Sequence, residues 1–209
     1  MAEFTANPAQ IDPSSPSRVD RRVQEFRARV LETAEMLFAE RGVEATKVDD
    51  ICEVADVAKR TLCNHFPTKA HIVQALSLEA VSQLVTLIDH ARESGQTNRE
   101  RVRLLFSGLR ERTSEIGPVH RESVGAFFQV AHDMSDVTNS EMRLSAAIRL
   151  LLEAGGPEEL PPNASAETFA ELVLGAIYST TLEWIHRDDY DLEARTAEIG
   201  AFLVSLLPD

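Results

Sequence analysis

The sequence predicts an all-α protein of about nine helices, and three observations carry that expectation. Apolar residues recur at intervals of three and four along most of the chain, which is helical spacing. The breaks between these stretches are Gly- and Pro-bearing or short and polar, as in "ESGQTN", "GP" and "GGPEELPPNAS". No stretch alternates like a strand, and no Asn-Gly hairpin or cluster of β-branched residues is present.

Taken in order, residues 1–17 are rich in Pro, Ser, Ala and Asn without apolar period, and are expected to be a disordered tail. Val23, Phe26, Val30, Ala34, Leu37 and Phe38 then mark a first helix over 19–41, closed by Gly42. Thr46 followed by Asp49 reads as a capping box, opening a short helix over Val48–Ala55. Residues 56–58 turn. A third helix covers Lys59–Phe66, with Leu62 and Phe66 inward, and Pro67 stops it. Thr68 is placed to cap a fourth helix reaching about Arg92. Further helices are expected at 98–115, 119–132, 136–154, 165–187 and 191–207. The last two are strongly amphipathic.

Composition bounds the function. The chain has 209 residues, 44% of them hydrophobic, so a sizeable core is possible. No secretory signal and no apolar run near the ~18 residues of a membrane span is evident, so a cytoplasmic protein with no membrane partner is expected. Two cysteines, Cys52 and Cys63, are too few for a disulfide framework. The net charge of −13 argues against nucleic acid until it is mapped. Residues 18–71 hold ten basic and ten acidic side chains, whereas 72–209 hold eleven and twenty-two. The surplus acid therefore lies in the C-terminal two-thirds, which suggests two jobs on one chain.

The stretch "VDDICEVADVAKRTLCNHFPTK" carries the functional signal. Two short helices joined by a three- or four-residue turn form a helix-turn-helix, whose second helix enters the DNA major groove. Lys59, Arg60 and Thr61 open that second helix, and Asn64 and His65 follow one turn on. A short amphipathic helix with polar residues outside is also ordinary protein surface. What distinguishes this one is its setting: supporting helix, capped short helix, tight turn, basic short helix, "PTK" and a long following helix, in sequence.

Residues 28–76 resemble the DNA-binding domain of the TetR family of bacterial transcriptional regulators. The resemblance rests on Ala34, Leu37, Phe38, Gly42, Thr46, Ile51, Val57, Thr61, Leu62, His65, Phe66 and Lys69. It implies an N-terminal helix-turn-helix domain over 18–70 and an effector-binding, dimerising domain over 71–209. It implies DNA contacts from Thr46, Lys47, Lys59, Arg60, Thr61, Asn64, His65 and Lys69, with Lys47, Thr61, Asn64, His65 and Lys69 near phosphates and Lys59, Arg60 and Thr61 near bases. The chain departs from the family pattern at Cys63, where a Tyr is usual, at Asp56 in place of the turn Gly, and at Ala58 in place of a Ser cap. More weakly, "LGAIYSTTLEWIHRDDYDLEA" resembles the family's last two helices.

Those helices offer a dimer interface at Leu172, Ile177, Thr180, Trp184, Ile199, Phe202 and Leu206, although the same stripes could feed the monomer's core. Phe106, Phe127, Phe128, His132, Met142, Tyr178 and Trp184 are candidates for a largely apolar effector pocket, again against plain core packing. The partners implied are double-stranded operator DNA, a second copy of the chain and a small molecule, with repression the family's usual mode.

Three rivals are weaker. Catalytic motifs are absent, no cofactor motif or catalytic residue is assigned, and Glu183 with His186 supplies only one of the two Glu-x-x-His pairs that a helical-bundle metalloenzyme needs. A redox- or metal-responsive regulator could use Cys52 and Cys63. A helical adaptor would show no DNA affinity.

Overall fold

The computed structural model describes residues 17–115, 120–121, 123–126 and 136–208, the backbone alone at 115 and 136–141. The regular structure of the described residues is all helical, with no strand. The helices are α1 (Arg18–Arg41), α2 (Val48–Val54), α3 (Lys59–His65), α4 (Lys69–Ser94) and α5 (Asn98–Glu115), then α6, seen at 121 and 123–126. They continue with α7 (Asp136–Glu153), α8 (Ala166–His186) and α9 (Leu192–Leu206), with a 3₁₀ turn at Pro157–Glu159 between α7 and α8. The helix expected at 119–132 lies largely outside the described residues, as does the tail before Ser17.

Local chemistry sets most boundaries. Ser17 and Asp20 make a reciprocal capping box at 3.1 Å each way, which starts α1. Gly42 stops α1 at φ 84°, its amide donating to the Phe38 carbonyl. The start of α2 differs from expectation. Its cap is Lys47, whose amide donates to Asp50 at 3.0 Å. Thr46 is turned inward instead, its hydroxyl donating to the Gly42 carbonyl at 2.7 Å. Thr68 does precede α4, but its hydroxyl pairs with the His71 ring at 2.8 Å rather than with the helix backbone. Ser165 and Asp191 cap α8 and α9 through their side chains.

Two apolar cores result. One joins Val30, Ala34, Leu37 and Phe38 of α1 to Ile51, Leu62 and Phe66, and takes Ile72, Val73 and Leu76 from the start of α4. The other joins the end of α4 to α5, α7, α8 and α9 through Ile88, Leu105, Ile148, Leu152, Val173 and Leu203. Helix α4 thus serves both, which explains a corrected expectation. It is long and apolar enough to cross a bilayer by length and composition, at mean hydropathy 1.4, yet it packs on α1, α5 and α7.

A polar knot fixes the second core's corner. Buried Asn98 donates from its amide to Glu159 at 2.6 Å and from its side chain to the Leu152 carbonyl at 2.7 Å, and accepts from Arg101 at 3.0 Å. Arg99 donates to the Leu207 carbonyl at 2.7 Å and so holds the end of α9. These bonds satisfy groups that burial would otherwise penalise.

Candidate nucleic-acid interface

The site is built on α2, its turn and α3. Ile51 and Leu62 are fully buried and Phe66 nearly so, which anchors both short helices on α1 and α4. Between them Asp56 takes the left-handed conformation at φ 52°, the strained step that the usual glycine would make freely. The Val57 amide closes the turn on the Cys52 carbonyl at 3.0 Å. Ala58 caps α3 without a side-chain hydrogen bond, as its methyl group requires.

One side of α3 is therefore core and the other faces solvent. Arg60, Thr61 and Asn64 are exposed, and among the described residues their side chains have no ion-pair or hydrogen-bond partner. Lys47 is likewise exposed at the start of α2. Lys59 is exposed but paired with Asp49 at 2.7 Å, and that hydrogen bond and charge raise its pKa above the ordinary lysine value. The pair neutralises an acid that would otherwise repel phosphate beside the recognition helix.

Three expected contacts are placed differently. Thr46 is 1% exposed, so its side chain belongs to the core. His65 is half-buried with its ring 4.8 Å from that of Phe26. Lys69 turns its ammonium back onto the α1–α2 loop and donates to the carbonyls of Val43 (2.6 Å), Glu44 (3.2 Å) and Thr46 (3.3 Å). Three N–H groups meet three carbonyls, so this side chain is a clamp between the loop and α4.

The C-terminal candidates divide. Phe127, Phe128 and His132 lie outside the described residues. Phe106 is buried against Gly200 of α9, where an added Cβ would come within 2.6 Å of it. Met142 is 58% exposed, Tyr178 is half-buried, and Trp184 is buried with the Arg121 guanidinium 5.4 Å from its ring. Of the dimer candidates, Leu172, Phe202 and Leu206 are exposed and Ile177 and Ile199 half-buried. Thr180 and Trp184 are buried within the chain. A cleft of about 540 Å³ at the α8–α9 connection is lined by Glu183, Arg187, Asp189, Tyr190 and Arg195 among others, and by none of the pocket candidates.

Sequence reasoning missed two residues here. Arg121 reaches Asp188 at 2.5 Å, but among the described residues its buried Nε and the buried Ser123 hydroxyl have no partner. For Arg121 the signal was tertiary, since its guanidinium lies 5.4 Å from the ring of Trp184 on α8. Cys52 and Cys63 are free thiols, Cys52 buried and Cys63 half-buried. Burial, the Asp49 carboxylate and Cys63 push the Cys52 thiol's pKa up, which disfavours the reactive thiolate. Among the described residues no group of three or more His, Cys, Asp or Glu side chains is placed to hold a metal.

Helices α2 and α3 with the turn between them form a helix-turn-helix on an all-helical scaffold. Residues 30–76 match the family described as "Bacterial regulatory proteins, tetR family". The transcriptional regulator TtgR of Pseudomonas putida is 44% identical over 59 residues, a match covering 28% of this chain and 28% of that protein. The crystal structure of a TetR-family transcriptional regulator from Pectobacterium atrosepticum is similar with a TM-score of 0.68 at 20% identity, over 93% of this chain and 99% of that one. The transcriptional regulator FadR from Bacillus subtilis, solved with stearoyl-CoA, is similar with a TM-score of 0.60 at 18% identity, over 85% and 97%. The likeness to that family is carried by residues 30–76, and the chain matches TtgR over 28% of that regulator's length.

Proposed function

We propose that this protein is a cytoplasmic, homodimeric, sequence-specific transcriptional regulator, a repressor released from a palindromic operator by a small, largely apolar effector. The single observation that carries this reading is the α3 surface: Arg60, Thr61 and Asn64 are exposed and, among the described residues, unpartnered, on a helix whose other side is locked into the core by Leu62 and Phe66. A helix so presented fits the major groove, with Arg60 suited to guanine and Asn64 to adenine. The domain division at residue 70 goes with it, α4 linking the reading head to the body.

Dimerisation is supported by exposed Leu172, Phe202 and Leu206 on neighbouring helices α8 and α9. Two copies pairing these faces would form a four-helix bundle and set two recognition helices on two half-sites. An effector in the C-terminal body is supported by Arg121 Nε and Ser123 Oγ, buried polar atoms without a partner among the described residues, the Arg121 guanidinium lying by Trp184. The fatty-acyl ligand carried by FadR accords with an apolar effector. An effector that binds better to the form with mismatched half-site spacing would shift the population off DNA by that difference in affinity.

Selection of bound duplexes from a random pool tests the reading. Enrichment of an inverted repeat, with half-sites about one helical turn apart, is expected. A pool that emerges unenriched, with no retention at low salt, refutes it.

A further inference from the structure

The proposed DNA contacts leave a second cationic group unused. Residues 18–29 hold five arginines against two carboxylates, in a chain whose net charge is −13. Arg18, Arg21, Arg22 and Arg29 are exposed, and among the described residues none has an ion-pair or hydrogen-bond partner for its side chain. Elsewhere in the molecule many arginines are spoken for: Arg92, Arg101, Arg110, Arg121, Arg149, Arg187 and Arg195 are all ion-paired with carboxylates.

Position makes the exception informative. Cations at a helix N-terminus oppose the macrodipole and weaken the helix, yet Arg18 is the first residue of α1 and Arg21 and Arg22 follow one turn later. Helix α1 survives there because Ser17 and Asp20 cap it. Helix α1 meets the recognition helix about two turns in from that end. The Phe26 ring is 4.8 Å from that of His65, the last residue of α3, and the Arg27 guanidinium is 4.6 Å from the Phe66 ring. From Phe26 back to Arg18, α1 runs a further eight residues, about 12 Å at 1.5 Å each. A seven-residue helix is about 10 Å long and the major groove about 12 Å wide, so α3 docked in that groove would end near a phosphate strand. Arg18, Arg21 and Arg22 thus lie within about 12 Å, along α1, of its contact with α3.

We propose that the first two turns of α1 form a sequence-independent DNA clamp, in which Arg18, Arg21 and Arg22 engage backbone phosphates flanking each half-site. This rests on the DNA-binding reading above and adds a second contact surface to it. The clamp answers the chain's electrostatics: a body with a surplus of eleven acids repels DNA, and a charge-neutral reading domain alone supplies little attraction.

The test uses the full-length protein with Arg18→Ala, Arg21→Ala and Arg22→Ala combined, titrated across a salt series against a mixed-sequence duplex and the selected operator. Alanine favours helix, so far-UV dichroism and melting stay as in the wild type. The dependence of log affinity on log salt should become shallower by about 0.9 for each phosphate no longer engaged, up to about 5 for a dimer that releases six. Affinity should fall by the same factor on both duplexes, and the footprint should shrink at its outer edges. Arg103→Ala, an exposed arginine on α5, should change neither duplex. Wild-type binding with an unchanged slope in the triple variant would overturn the clamp alone. A loss confined to the operator would overturn it too, since base reading would then be responsible. Absence of wild-type binding to either duplex would overturn the clamp and the regulator reading together.

Discussion

Replacing Lys69 by Met separates two roles for one side chain. Methionine keeps a flexible stem of similar length and removes the ammonium. In the native protein that ammonium donates to the carbonyls of Val43, Glu44 and Thr46, at 2.6, 3.2 and 3.3 Å. A hydrogen bond from a charged donor contributes roughly 1.5–3 kcal/mol when well formed. Only the Val43 bond is short, the Glu44 bond is solvent-exposed, and the part-buried Val43 and Thr46 carbonyls would be left without this donor. The expected loss is therefore about 2 kcal/mol, or roughly 4–8 °C in melting temperature at 2–4 °C per kcal/mol for a chain of this size. Urea unfolding followed by dichroism measures it. Titration of operator DNA across a salt series gives the second reading. A clamp acts by holding the α1–α2 loop, so affinity falls while the salt slope stays at its wild-type value. A phosphate-contacting ammonium would instead flatten the slope by about 0.9 per protomer. Wild-type stability combined with a flattened slope would refute the clamp role.

Gly200→Ala places a Cβ within 2.6 Å of Phe106 between α5 and α9, and should cost about 1–3 kcal/mol by calorimetry or urea titration. Leu172→Arg with Phe202→Arg puts charge on the exposed face of α8 and α9, and should give a folded monomer in sedimentation that binds no tighter to two half-sites than to one. At pH 8 and without denaturant, iodoacetamide should label half-buried Cys63 well before Cys52. Raising the Cys52 pKa lowers its thiolate fraction at any given pH below that value, and mass spectrometry of the peptides reads the order.

The legible parts of this protein were those where one or two neighbouring residues dictate the backbone. Gly42 ends α1, Pro67 ends α3, Ser165 and Asp191 open α8 and α9, and Asp56 supplies the left-handed turn. The exposed set on α3 was legible for the same reason: Leu62 and Phe66 orient the helix, and Arg60, Thr61 and Asn64 must then face away. Thr46 was misassigned because its two options, capping α2 or bonding back to Gly42, are close in energy locally, and the core into which it points decides between them.

What the sequence determined by itself was the periodicity, the helix ends and the charge asymmetry, all of which depend on residues a few positions apart. Tertiary structure alone decided which long side chains are free. Lysine and arginine can swing several ångströms, so composition cannot say that Lys69 is consumed by three carbonyls and Lys59 by Asp49, or that Arg18, Arg21 and Arg22 are left without partners among the described residues. That allocation arises from elements packed together across tens of residues, and it settles which cations are free to meet a phosphate.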